Sequence, residues 1–140
     1  MKKENLRICA NCETGHLQRA VRDVKITRQN LSATVKNIAG LFCDACHEIE
    51  FDSNTDSAQR YAAAGDKLVL KNREAAAAAL KLQRKRLKLT QAQASIITGG
   101  GHNAFSRYET GAAQPLPAVV NLFKLLDKHP EMLKELDLAE

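Results

Sequence analysis

Thr90-Gln91-Ala92-Gln93-Ala94-Ser95-Ile96-Ile97-Thr98-Gly99-Gly100-Gly101-His102-Asn103-Ala104-Phe105-Ser106-Arg107-Tyr108-Glu109-Thr110-Gly111 is the stretch that decides the carboxy-terminal half of this chain. Thr90 and Gln93 have the S/T-x-x-E/Q form of a capping box, which opens a helix. Three glycines stop that helix, and a third one spans about Asn103 to Thr110 before Gly111. Upstream, Asn72 can cap a first helix through Arg73 to Lys88, rich in Ala, Leu, Lys and Arg. Downstream, Pro115 and Pro117 mark a fourth helix with Val119, Leu122, Phe123, Leu125 and Leu126 on one stripe. Pro130 opens a fifth, ending near Leu136. Residues 67–140 therefore read as an all-α unit of five short helices.

The amino-terminal part reads differently. Val24 to Thr27, Leu31 to Val35 and His47 to Phe51 alternate apolar and polar residues, the pattern of short strands. A short helix is expected from Thr55 to Ala64, and a domain boundary near Ala62 to Asp66. Charge supports two units. Residues 1–66 balance nine basic against nine acidic side chains, whereas residues 67–140 hold the whole excess of +5. The expected fold class is α+β: a small β-rich domain, residues 1–66, followed by an all-α five-helix domain, residues 67–140. Aromatics make up only 4% of the 140 residues, so neither unit has mass for a large core.

All four cysteines lie in the first unit, as Cys9-x-x-Cys12 and Cys43-x-x-Cys46. A two-residue gap lets both sulfurs of a pair face one point, and two such pairs suit one tetrahedral zinc ion. The expectation is a single structural Zn²⁺ on Cys9, Cys12, Cys43 and Cys46. Four thiolates leave no open position for water, and the metal replaces the missing core. Two pairs by chance as free core cysteines are improbable. A thioredoxin-like dithiol needs one pair in a βαβ setting, which is absent. Cys43-x-x-Cys46-His47 matches a haem-attachment motif but would leave Cys9 and Cys12 unexplained. His47 is expected at the surface beside the site rather than as a ligand.

Lys67 to Arg107 carries nine basic residues and one acid, Glu74. Lys81, Arg84, Lys85, Arg86 and Lys88 cluster at the end of the first helix, more than a helix dipole explains. In the third helix, Phe105 and Tyr108 can anchor inward. Asn103 and Arg107, four apart, can then face a DNA major groove, where Asn suits adenine and Arg suits guanine. The bland alternative is a solvated surface helix with an Asn cap.

The run from Leu89-Thr90-Gln91 to Gly111, with its Gly-Gly-Gly-x-Asn-Ala-Phe-Ser-Arg-Tyr-Glu core, resembles the helix-turn-helix of MqsA-type antitoxins. Gln114-Pro115 and Leu126 to Glu131 extend the likeness. The paired C-x-x-C motifs, the second preceded by Gly40-Leu41-Phe42, resemble that family's zinc domain. The resemblance spans about residues 8–136 and weakens between Glu50 and Leu80. It implies an antitoxin of a type II system: a zinc domain that holds a ribonuclease toxin, and a helix-turn-helix domain that dimerises on palindromic operator DNA. Asn103 and Arg107 fall on the family's base-reading positions, and Gln91 falls on a phosphate-contact position. Thr90, Ser106, Arg84 and Lys88 complete the expected DNA-backbone set.

Two other functions stay open on the residues alone. One is a stand-alone regulator with a structural zinc domain. The other is a redox switch in which oxidised thiolates release metal. No nucleophile–base set, Walker loop or dinucleotide fingerprint appears, so an enzyme is not expected. No apolar run of membrane-spanning length and no secretory signal are found, which suggests a cytoplasmic protein.

Overall fold

The structure, a computed structural model, describes residues 7–136 and 138. It divides into two units, Met1–Val69 and Leu70–Glu140.

The first unit is built on a long hairpin. Strand β2, His16–Arg28, pairs antiparallel with β3, Leu31–Cys43, and short strands β1, Arg7–Ile8, and β4, Ile49–Phe51, flank them in the order β1-β2-β3-β4. The register breaks once, between Arg22 and Val24, where β3 carries one residue more than β2. Asn37 takes a left-handed backbone there, φ 53°, and donates its N–H to Asp23 Oδ1 at 2.9 Å. The extra residue keeps one face apolar while its sequence parity changes. Leu31, Ala33 and Val35 lie on that face below the bulge; Ile38, Gly40 and Phe42 continue it above. The alternation read from Leu31 to Val35 therefore resumes out of step at Ile38.

Helix α1 runs without interruption over Ser57–Arg86 and belongs to both units. Its first half covers the sheet: Tyr61 meets Phe51 with ring centroids 5.2 Å apart, and Leu68 is buried. Ser57 Oγ accepts from Ala39 N, and the Arg60 guanidinium donates to the Lys36 and Asn37 carbonyls at the bulge. The two expected helices, Thr55 to Ala64 and Arg73 to Lys88, are thus one. Gly65 does not end the helix; a Cβ there would sit 3.1 Å from Ile26 Cδ1, so it serves close approach to the sheet. Asn72 lies within the helix rather than at its start.

The second unit comprises the end of α1, then α2, Gln91–Ile97, α3, Ala104–Glu109, and α4, Pro117–Lys128, followed by a 3-10 helix, Pro130–Glu135. The fifth helix expected from Pro130 is therefore 3-10, not α. The Thr90–Gln93 capping box is formed in both directions. Gly99 ends α2 at φ 64°, a left-handed backbone that an L side chain resists. Leu80, Leu89, Ala94, Phe105, Val119 and Phe123 form the core, with the Phe105 and Phe123 rings 4.8 Å apart. Buried Ser95 joins α2 to α3 by accepting the Phe105 N–H at 3.2 Å.

Candidate metal centre and nucleic-acid interface

The four cysteines converge at one end of the hairpin. Cys9 and Cys12 follow β1, Cys43 ends β3, and Cys46 lies in the turn before β4. Register pairs Leu17 with Cys43, and the two sit with Cys9 in one buried cluster. All four sulfurs lie within 4.8 Å of one another; Cys9 to Cys46 is 3.8 Å and Cys12 to Cys43 is 3.7 Å. These spacings are far beyond a disulfide bond and fit four ligands around a single metal ion. His47 is exposed and outside the cluster.

The two knuckles share a local geometry. The residue after each second cysteine, Glu13 and His47, is left-handed, at φ 57° and 61°. Backbone N–H groups point at the sulfurs: Gly15 donates to Cys12, and Ala45 and Cys46 donate to Cys43. Hydrogen bonds from Thr14 and Gly15 hold the Cys12 thiol down at about 6. Cys43 also receives the Cys46 N–H, but burial and the neighbouring Cys46 and Cys12 sulfurs push it up to about 11. Thiolates crowded this closely repel one another, and a cation among them offsets that repulsion. The donor set and its spacing therefore fit a metal.

Gly15 is a site residue that sequence reading missed. A Cβ there would lie 2.4 Å from Cys43 Sγ and 2.8 Å from Ala45 Cβ. Its signal was a glycine three residues beyond the first pair, where the chain must pass under the sulfurs.

In the second unit, Asn103 and Arg107 are both exposed, and one helical turn joins them, Arg107 N–H to Asn103 O. Phe105, fully buried, fixes the opposite side of α3. Asn103 stands at the N-cap position, but its side chain makes no cap hydrogen bond. The cap that a bland surface helix would use is absent, and the amide is left for another partner. Thr90 is exposed with its hydroxyl in the capping box, Ser106 is half-buried, and Lys88 is exposed with φ 58°. Gln91 donates to Glu109 Oε2 at 2.9 Å.

Arg84 departs from the DNA-backbone role expected of it. Its side chain is 12% exposed and paired with Glu109, itself 3% exposed, through Nε to Oε1 at 2.5 Å and Nη2 to Oε2 at 3.1 Å. Its third donor, Nη1, reaches the Leu89 carbonyl at 2.8 Å. A guanidinium spent this way braces the unit instead of facing a phosphate. Arg86 meets Asp127 at 3.2 Å but stays 59% exposed, so of the two only Arg84 is withdrawn from the basic surface.

Leu122, Leu125, Leu126, Met132 and Leu136, with His129 and Glu135, line an apolar groove of about 410 Å³ along α4 and the 3-10 helix. Leu125 and Met132 are 59% and 53% exposed, while Phe123, expected on the same stripe, is entirely core. Among the described residues, no helix is long and apolar enough to cross a membrane.

Residues 7–137 match the family model described as the antitoxin component of a bacterial toxin–antitoxin system, MqsA. The chain is 37% identical over 128 residues to Antitoxin MqsA of Escherichia coli (strain K12), covering 91% of this chain and 98% of that protein.

Proposed function

The chain belongs to the MqsA antitoxin family of bacterial toxin–antitoxin systems, and from that premise we propose that it neutralises a ribonuclease toxin and represses its own operon as a dimer. The zinc domain, residues 1–66, takes the toxin, and residues 67–140 bind operator DNA and dimerise. This is a binding protein of the cytoplasm rather than an enzyme.

Zinc is the metal the cysteine cluster suits. Sulfurs at ~2.3 Å from a tetrahedral Zn²⁺ stand ~3.8 Å apart; the Cys9–Cys46 and Cys12–Cys43 spacings are 3.8 and 3.7 Å, and all four sulfurs lie within 4.8 Å of one another. Cys9, Cys12, Cys43 and Cys46 would hold one ion per chain, whose contribution is cohesion of the knuckles rather than chemistry. Beside it, the outer edge of β2 is paired by β1 only at His16 and Leu17 among the described residues. An open strand edge of this length suits addition of a strand from a protein partner.

The observation that carries the DNA half is the exposed Asn103 and Arg107 pair on a helix pinned from behind by Phe105. Gln91, Thr90, Ser106 and Lys88 are the proposed backbone contacts. The Leu125 and Met132 groove is the proposed contact with a second copy, and a palindromic operator would require two such helices to stand about 34 Å apart. The test is the ratio of specific to random DNA affinity at fixed salt. Arg107→Ala should lower specific binding by roughly 1–3 kcal/mol and random binding far less, while toxin neutralisation persists. Cys43→Ser should do the reverse. An unchanged ratio for Arg107→Ala removes the repressor reading.

A further inference from the structure

We propose that Glu109 is a positioning residue for DNA binding: locked by Arg84, its carboxylate holds the Gln91 side chain ready at the start of α2 to meet a backbone phosphate. The inference rests on the DNA-binding reading above and adds a device to it.

The geometry gives Glu109 more partners than a structural ion pair needs. Oε1 takes Arg84 Nε, and Oε2 takes both Arg84 Nη2 and Gln91 Nε2. Arg84 is itself anchored on the Leu89 carbonyl, in the connection between α1 and α2. The carboxylate is thus fixed from one side by a side chain that is nearly buried, and it fixes from the other a side chain that is exposed. A free glutamine at the first position of α2 would sample many rotamers and lose that freedom on binding. Held in advance, it loses less. One N–H of the amide is spent on Glu109; the second N–H remains to donate toward a phosphate oxygen. Arg84 also solves an electrostatic problem, since a bare carboxylate beside a phosphate contact would repel the DNA. Its guanidinium neutralises that charge while staying off the surface.

A double-mutant cycle on the full-length, metal-loaded protein tests this, using a duplex of the sequence immediately upstream of its own coding region. Gln91→Ala should weaken binding roughly tenfold and leave the salt slope unchanged, because a neutral amide releases no counterion. Glu109→Gln, which keeps the shape but weakens the hold, should weaken wild-type protein several-fold yet add nothing in the Gln91→Ala background. Equal effects in both backgrounds, or none in the wild type, overturn the proposal while leaving the DNA-binding reading intact. Failure of the wild type to bind the duplex overturns both. A second measurement needs no variant: nitrogen-15 relaxation of the Gln91 side-chain amide in free protein. Order close to that of the backbone is expected, and mobility like that of other surface glutamines overturns the proposal.

Discussion

At the scale of single residues, the metal centre depends on an atom that is missing. Gly15 leaves room for the Cys43 sulfur where any Cβ would stand 2.4 Å away. Gly15→Ala must push the strand start off the sulfur or push Cys43 out of the tetrahedron. Metal affinity should fall by about 10- to 100-fold, as for changes to a metal's outer shell, and competition with a chromogenic chelator would measure it. Unchanged affinity would mean that the knuckle relaxes freely. The cysteine quartet was legible because paired thiols carry their own spacing. Gly15 was not, because a glycine's role depends on what approaches it.

At the scale of elements, the Arg84–Glu109 pair joins α1 to α3, and its removal should cost stability before it costs DNA affinity. Arg84→Ala leaves a buried carboxylate unpaired, for which about 3–5 kcal/mol is expected. Thermal unfolding of the variant would check this; a normal midpoint with weakened DNA binding would restore the phosphate role. The pair also sets a pH dependence. Burial alone would raise the Glu109 carboxyl, but hydrogen bonds from Arg84 and Gln91 outweigh it and hold the pKa below the ordinary value. A depressed folded pKa adds stability above the unfolded value, about 4.3, and that stability is lost as pH falls through the folded one. Denaturation midpoints of the wild type should therefore drop steeply below about pH 4. Glu109→Gln should start lower and show a shallower acid slope. The sequence showed an arginine in a basic run and could not show that a glutamate 25 positions away would claim it.

At the scale of the whole molecule, the basic excess lies in residues 67–140 and the thiols in residues 1–46, so partner and metal chemistry can be perturbed separately. Leu116, Leu70 and Leu82 are exposed as well, but Leu125 and Met132 share one apolar groove. Leu125→Glu with Met132→Glu should convert a dimer to monomers in light scattering. Operator affinity should fall at least tenfold, because the second half-site contact is lost, while metal content stays at one ion per chain. A variant that remains dimeric would place the dimer contact elsewhere.

Features that depend on near neighbours were legible from the residues alone. The C-x-x-C pairs, the Thr90–Gln93 box, the glycine stop after α2 and the inward Phe105 beside outward Asn103 and Arg107 are all set within a few residues. Features that depend on distant residues needed the folded chain. It fused two expected helices into α1, because Gly65 is used for contact with Ile26 and no proline interrupts the run. It shifted β3 by one residue at Asn37, because Asp23 on the opposite strand satisfies that N–H. It withdrew Arg84 from the surface, because a charge so nearly buried requires the partner that Glu109 provides.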